Sequence, residues 1–303
     1  MHIVIAGGTG FVGTPLAELL IRNGHELTLL TRTLRRTASR SAKVRHVEWN
    51  PEDESSTVRE IDGCDAVINL AGEPIAERWS RRQKERIVTS RVNSTQILVH
   101  SIRAAARKPS VLINASAVGF YGPRGNESLD ENSNGGKGFL ASVCKAWEAH
   151  AIRAEDFGVR VVRIRIGLVL ERSGGALQKM IPPFQMLMGG WLGTGNQWMS
   201  WIHRSDLIKL IEFCLTHGEV KGAVNAAAPK PVTNREFSNA LARALRRPCW
   251  APVPGFVLRI LLGEMAGELL LEGQRVYPHA APRAGFEFRY SEIREALDAI
   301  FHS

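Results

Sequence analysis

The sequence predicts an α/β protein: a doubly wound parallel sheet followed by a smaller C-terminal α+β unit. Three observations predict it. A glycine turn, Gly7-Gly8-Thr9-Gly10-Phe11-Val12-Gly13, joins an N-terminal strand pattern to a helix pattern. Strand and helix patterns then alternate through the first half. After Arg165 that rhythm fades into glycine turns, short strands and amphipathic helices.

In chain order, Met1 to Ala6 is a short apolar, β-branched run and reads as a buried strand. After the turn, Leu16, Leu19, Leu20 and Ile21 recur at helical spacing, and Asn23-Gly24 reads as the helix stop. Glycine there has a physical purpose. Gly8 and Gly10 can take unusual backbone angles and leave no Cβ in the way of a pyrophosphate. Gly13 lets the helix lie close against the strand, and the helix N-terminus offers N–H groups to phosphate. Between a strand and a capped helix, this pattern points to a Rossmann dinucleotide site.

Glu26 to Thr31 is the second strand. An acid at its end would hold a ribose 2′-hydroxyl and repel a 2′-phosphate. Thr31-Arg32 stands there instead, and a hydroxyl with a guanidinium suits that phosphate, so the expected cofactor is NADP(H) over NAD. Val44 to Trp49 is a third strand, and Ala66 to Leu70 a buried strand that exits through Ala71-Gly72. Polar helices follow over Ser80 to Val88 and Ser90 to Ala106. Val111 to Ala115 is a strand leading to Ser116 and Tyr121-Gly122. A loop from Pro123 to Gly138 is long enough to cover a site. A helix from Leu140 to Asp156 and a strand from Val159 to Ile164 complete this half.

Beyond it, Met180 to Met188 is helical and carries Pro182-Pro183, and Gly189 to Gly195 is a turn region. Trp198 to Ile202 reads as a strand, Asp206 starts a helix, and Val224 to Ala227 returns to the sheet. Thr233 to Arg246 and Phe256 to Leu271 are further helices. The expected division is 1–167, with a return segment at 200–228, and 168–303.

With 303 residues, 44% apolar, the chain can bury a large core. No run is apolar enough for a membrane span, and Met1 leads straight into a strand, so the expected location is cytoplasmic. The net charge is +9, yet basic residues are not interleaved with aromatics as nucleic-acid binding would need. The densest basic stretch, Arg32, Arg35, Arg36, Arg40, Lys43 and Arg45, lies beside the nucleotide site. Four cysteines without metal spacing argue against a metal centre.

Together, Gly7 to Gly13, Asn69-Leu70-Ala71-Gly72, Ser116 with Tyr121-Gly122, and Trp201 to Asp206 resemble an extended short-chain dehydrogenase/reductase. More narrowly, the chain is similar to its atypical epimerase-like branch, the epimerase family proteins. That similarity is carried by Leu70 to Ile75, Gln83 to Ile87 with Ser90-Arg91, Pro182-Pro183-Phe184, Gly189-Gly190, Gly193-Thr194-Gly195 and Leu271 to Gln274. The resemblance implies an NADP(H)-dependent oxidoreductase or nucleotide-sugar epimerase. Its cofactor contacts would be Gly7, Gly8, Thr9, Gly10, Phe11, Val12, Gly13, Thr31, Arg32, Leu70, Ala71, Gly72, Glu85, Arg91 and Val169. It implies a small-molecule substrate, a nucleotide sugar or another carbonyl or hydroxyl compound, and leaves a homodimer through the helices between Ser80 and Ala106 open.

The family's proton relay is a serine with YxxxK. None of the three tyrosines has a lysine four residues on: Gly125, Ala281 and Arg294 occupy those places. Aligned on Glu148, Leu140 stands in the tyrosine slot and Cys144 in the lysine slot. Lys145 is one residue late and rotated by about 100°, toward solvent. Ser116 remains, with Tyr121 as the substitute acid or else a pocket wall. Arg91 stands where the family has an asparagine, as a replacement for the missing lysine charge or as a surface arginine. A dinucleotide-binding redox sensor without turnover is the competing function.

Overall fold

The computed structural model describes residues 1–33, 42–51 and 53–302. Arg35, Arg36 and Arg40 of the basic stretch lie outside the described residues.

The first elements are β1 (His2–Ala6), α1 (Gly13–Arg22), β2 (Glu26–Thr31), β3 (Val44–Glu48), α2 (Glu54–Ile61), β4 (Ala66–Asn69), α3 (Arg81–Ala104), β5 (Val111–Ala117), β6 (Ser128–Leu129), α4 (Phe139–Ile152) and β7 (Arg160–Ile166). Then come β8 (Leu168–Leu170), α5 (Gly175–Gln185), β9 (Trp198–Met199), β10 (Trp201–His203), α6 (Arg204–Thr216), β11 (Gly222–Ala226), β12 (Val232–Thr233), α7 (Asn234–Leu245), α8 (Gly255–Leu262), β13 (Arg275–Val276), α9 (Ala280–Arg283) and α10 (Ile293–His302).

Seven strands form one parallel sheet in the order β11-β7-β5-β4-β1-β2-β3. Alternate side chains feed opposite faces. Ile3, Ile5, Ile68, Ile113 and Ile164 pack with Leu16 and Leu20 of α1 and Leu207 and Ile211 of α6. Val4, Val67, Leu112 and Val161 pack with Ile61 of α2 and Leu98 and Ile102 of α3. Covering both faces is what lets these strands be apolar nearly throughout. The order reverses between β1 and β4, and the C-terminal edge at such a reversal is where sheets of this kind bind their ligands. The chain leaves the sheet after β7 and returns through α6 and β11. A separate apolar cluster, with Leu177, Phe184, Trp201, Phe237, Leu241 and Leu297, joins α5, α7 and α10.

Several elements differ from expectation. The two polar helices are one helix, α3, because Thr89 and Ser90 turn their hydroxyls back to the carbonyls of Glu85 and Ile87 (2.8 and 3.2 Å) instead of capping a new start. The Trp198–Ile202 strand is split at Ser200, whose hydroxyl donates to Gln274 O and accepts from Val276 N. The Phe256–Leu271 helix is interrupted rather than continuous: α8 ends at Leu262, Gly263 takes φ +64°, and a π-helical stretch follows over Ala266–Leu271. The loop over 123–138 carries β6, which pairs with β13 and so ties it to the C-terminal segment. Among the described residues no helix is long and apolar enough to cross a membrane, and no three His, Cys, Asp or Glu side chains are grouped to hold a metal.

Candidate dinucleotide site

The glycine turn sits at the end of β1, where the strand order reverses. Gly7 takes φ +79°, and a Cβ there would lie 2.8 Å from the carbonyl carbon of Leu70. A Cβ on Gly13 would lie 2.2 Å from Gly7 O and 2.7 Å from Gly8 Cα, which fixes how closely α1 approaches the turn. The left-handed residue is therefore Gly7, rather than Gly8 or Gly10. Gly8 packs tightly instead: its Cβ would meet Leu29 Cδ2 at 2.7 Å, so that side chain would have to shift. Thr9 and Gly10 are exposed at the tip. No side chain caps the N-terminus of α1 and its first turn holds no acid, so its N–H groups and positive dipole end suit an anion. Phe11 turns away from the tip, against Gly174 and Gly175, with the Arg204 guanidinium 5.2 Å from its ring. Val169 lies in β8, opposite Ile202 of β10.

At the end of β2, the Thr31 hydroxyl donates to Thr33 O (2.6 Å) and accepts from Thr33 N. The hydroxyl thus closes a local turn at the strand end. Arg32 projects outward with its side chain 79% exposed, 3.5 Å from the Glu73 carboxylate.

The exit of β4 is held by a buried amide network. Asn69 Nδ2 donates to Asn114 Oδ1 (2.8 Å) and Thr95 Oγ1, and Asn69 Oδ1 accepts from Ala71 N. This fixes Leu70-Ala71-Gly72 beside Gly7. A Cβ on Gly72 would lie 3.1 Å from the Arg91 Cζ. Arg91 donates to the carbonyls of Glu73 and Ile87 and sits 5.1 Å over the Trp147 ring of α4. Burial lowers its pKa, with the neighbouring Cys144 and Glu73 acting the other way. It is thus a held cation between the β4 exit and α4, not a surface arginine. Glu85 differs: it is exposed, paired with Arg81 at 3.2 Å. It lines an outer groove of about 480 Å³ with Trp79, Lys84, Phe139 and Glu264. None of these neighbours belongs to the glycine turn.

Ser116 is buried, and its hydroxyl donates to Glu148 Oε1 at 2.7 Å. Cys144, in the lysine slot, is buried with its pKa pushed up to about 11, chiefly by burial and then by Glu148. Lys145 is exposed and donates to Gly136 O (2.6 Å), pinning the loop before α4. Tyr121 corrects expectation most clearly. It is fully buried, donates to Asn225 Oδ1 (2.7 Å) and accepts from Arg165 Nη1 (2.9 Å). Burial pushes its pKa up to about 12. A hydroxyl so committed, inside the core, is a brace rather than a proton donor to a ligand.

Sequence reading missed two carboxylates from the C-terminal half's environment. Glu268 accepts from Phe139 N and Leu140 N (2.7 and 2.9 Å), capping α4 at the tyrosine slot. Glu131 accepts from Asn225 N, His279 N and Ala280 N. Their signal was absent because each acts across more than 90 residues.

The Trp201–Asp206 motif is structural. His203 accepts from Ser205 N to cap α6, and Asp206 accepts from Tyr290 N. Burial depresses the His203 pKa to about 4. The unfolded chain therefore binds a proton between about pH 6.5 and 4 that the folded chain refuses. Stability is then expected to fall as pH drops through that window, by about 2–3 kcal/mol in all. Thermal melts of the protein and of His203→Asn would check it: the variant should lose most of that dependence.

A parallel sheet with a glycine turn beneath an uncapped helix, at the strand-order reversal, defines a dinucleotide-fold protein. Residues 3–227 match the NAD dependent epimerase/dehydratase family, and residues 253–300 match DUF1731, a domain of unknown function. The chain belongs to the NAD dependent epimerase/dehydratase family. It is 44% identical to an Arabidopsis thaliana epimerase family protein, the chloroplastic SDR39U1 homolog, over 99% of this chain and 86% of that one. It is 38% identical to the Bacillus subtilis epimerase family protein YfhF, over 99% and 98%. The crystal structure of human epimerase family protein SDR39U1 (isoform 2) with NADPH superposes with a TM-score of 0.87 at 33% identity, covering 99% of both chains.

Proposed function

We propose that the protein is an NADP(H)-dependent oxidoreductase of the short-chain dehydrogenase/reductase type that works without the tyrosine–lysine relay. The observation that carries the cofactor is the uncapped, acid-free N-terminus of α1 behind the exposed tip Thr9-Gly10, with Arg32 at the end of β2. The human relative whose structure holds NADPH supports the same choice. When bound, the dinucleotide supplies the hydride. The chain's own part is to hold the pyrophosphate on the Phe11–Gly13 amides, the ribose against Leu70–Gly72, and a fixed positive charge, Arg91, toward the α4 side.

A second reading, an NADP(H)-binding sensor without turnover, is favoured by the acid/base positions. Leu140 carries no proton, Tyr121 is buried, and the Ser116 hydroxyl is engaged by Glu148. A nucleotide-sugar epimerase would in addition have to retain its cofactor between two hydride transfers.

Calorimetry with NADPH and NADH tests the cofactor. NADPH is expected to bind the more tightly, and Arg32→Ala to weaken NADPH about tenfold or more while leaving NADH unchanged. NADPH absorbance against a panel of carbonyl compounds and nucleotide sugars then separates the two functions. Oxidation supports the enzyme, and tight binding with no oxidation supports the sensor.

A further inference from the structure

Glu73, just beyond the β4 exit, brings an acid to the end of β2 that the β2 sequence lacks. Its backbone is clamped on both sides: the N–H donates to Ser90 Oγ (3.0 Å) and the carbonyl accepts from Arg91 Nη1 (3.0 Å). Its side chain is only 11% exposed. Two cations reach it on largely exposed arms. Arg32 Nη1 lies 3.5 Å from one carboxylate oxygen, and Arg86 Nη2 bonds the other. Their side chains are 79% and 54% exposed.

An acid in this place is the feature by which such sites hold a free 2′-hydroxyl and repel a 2′-phosphate. Left alone, Glu73 would occupy Arg32 and turn the site toward NAD(H). We propose that Arg86 is the residue that sets dinucleotide preference: by pairing with Glu73 it cancels that carboxylate and leaves Arg32 for the 2′-phosphate. This rests on the NADP(H) reading above. Arg86 is here a positioning residue, acting through Glu73.

The charge count gives the test its signs. The Arg32–Glu73–Arg86 cluster carries +1. Arg86→Ala takes it to zero, Glu73→Gln to +2, and the double variant back to +1. The phosphate meets this cluster in a solvent-exposed rim, so each unit of charge changes its affinity by about three- to tenfold at low salt.

The experiment is fluorescence titration of the intact protein with NADPH and with NADH at low salt, reading the ratio of the two dissociation constants. NADH, which lacks the phosphate, controls for folding. Arg86→Ala is expected to cut the preference for NADPH about three- to tenfold, and Glu73→Gln to raise it by a similar factor. The double variant and Arg86→Lys are expected to stay near the parent, and high salt to compress all the differences. The proposal is overturned if Arg86→Ala leaves the ratio unchanged, or if Glu73→Gln lowers it. Loss of preference in Arg32→Ala with none in Arg86→Ala would remove this inference and leave the NADP(H) reading standing. A parent protein that prefers NADH would remove that reading itself.

Discussion

Replacing Gly13 with alanine is expected to abolish measurable dinucleotide binding. The added methyl would lie 2.2 Å from Gly7 O and 2.7 Å from Gly8 Cα, both backbone atoms that no rotamer change can clear. Either α1 retreats from the turn or the turn opens. In both cases the amides of Phe11 to Gly13 leave the positions from which they face a pyrophosphate. Overpacking of this kind costs about 1–3 kcal/mol of stability, which a chain with this large a core survives. The larger loss falls on binding, about a hundredfold or more in NADPH affinity, because the helix terminus and the turn act as one anion site. Gly10→Ala separates the two effects. Its Cβ would meet nothing nearer than Gly7 O at 3.3 Å, so the fold is expected to melt as the parent does, with weakened NADPH binding from a methyl in the phosphate's path. Equal NADPH affinity in Gly13→Ala and the parent would show that α1 does not hold the cofactor.

What could be read from the sequence was what local chemistry dictates. The β1–turn–α1 unit was legible because strand, glycine spacing and helix period all lie within two dozen residues. The stop at Asn23-Gly24 was legible too: Gly24 takes φ +86°, and its N–H bonds Ile21 O as the helix ends. Helix α2 was not legible, since Asp53 caps it but only Thr57 and Ile61 are buried, too few for a period. The missing YxxxK was fully legible, because three tyrosines can be checked one by one. What replaces it was not. Tyr121 follows Ser116 closely along the chain, yet the 3₁₀ turn over Val118–Tyr121 carries its ring under the sheet edge to Asn225, 104 residues on. Glu73 was equally hidden. Its contact with Arg32 arises because β1 lies between β2 and β4, so that two exits distant in sequence meet at one edge of the sheet.

Glu148→Gln is expected to cost the most stability of any single change at the site. Its carboxylate, 3% exposed, is the one acid among three donors: Arg165 at 2.9 Å through both Nε and Nη2, Arg163 Nη1 at 3.0 Å and Ser116 Oγ at 2.7 Å. Burial works against the Arg165 charge, but hydrogen bonds and charge from Glu148 outweigh it and hold that guanidinium's pKa above its usual value. The glutamine amide can accept at one oxygen only and would turn an N–H group toward a cation. Arg165, 4% exposed, would be left as an uncompensated buried charge. Breaking a buried pair in this way costs about 3–5 kcal/mol, or a fall of roughly 5–15 °C in Tm. The same change should loosen Tyr121, which is braced by Arg165 Nη1, and with it the turn from Ser116 to Gly122. Removing both charges, as in Glu148→Gln with Arg165→Gln, is expected to recover part of the loss, because the unpaired charge goes with its partner. A double variant less stable than Glu148→Gln by the full cost of a second deletion would mean that Arg165 is held by Tyr121 and Phe120, 3.6 Å beneath its guanidinium, more than by the carboxylate.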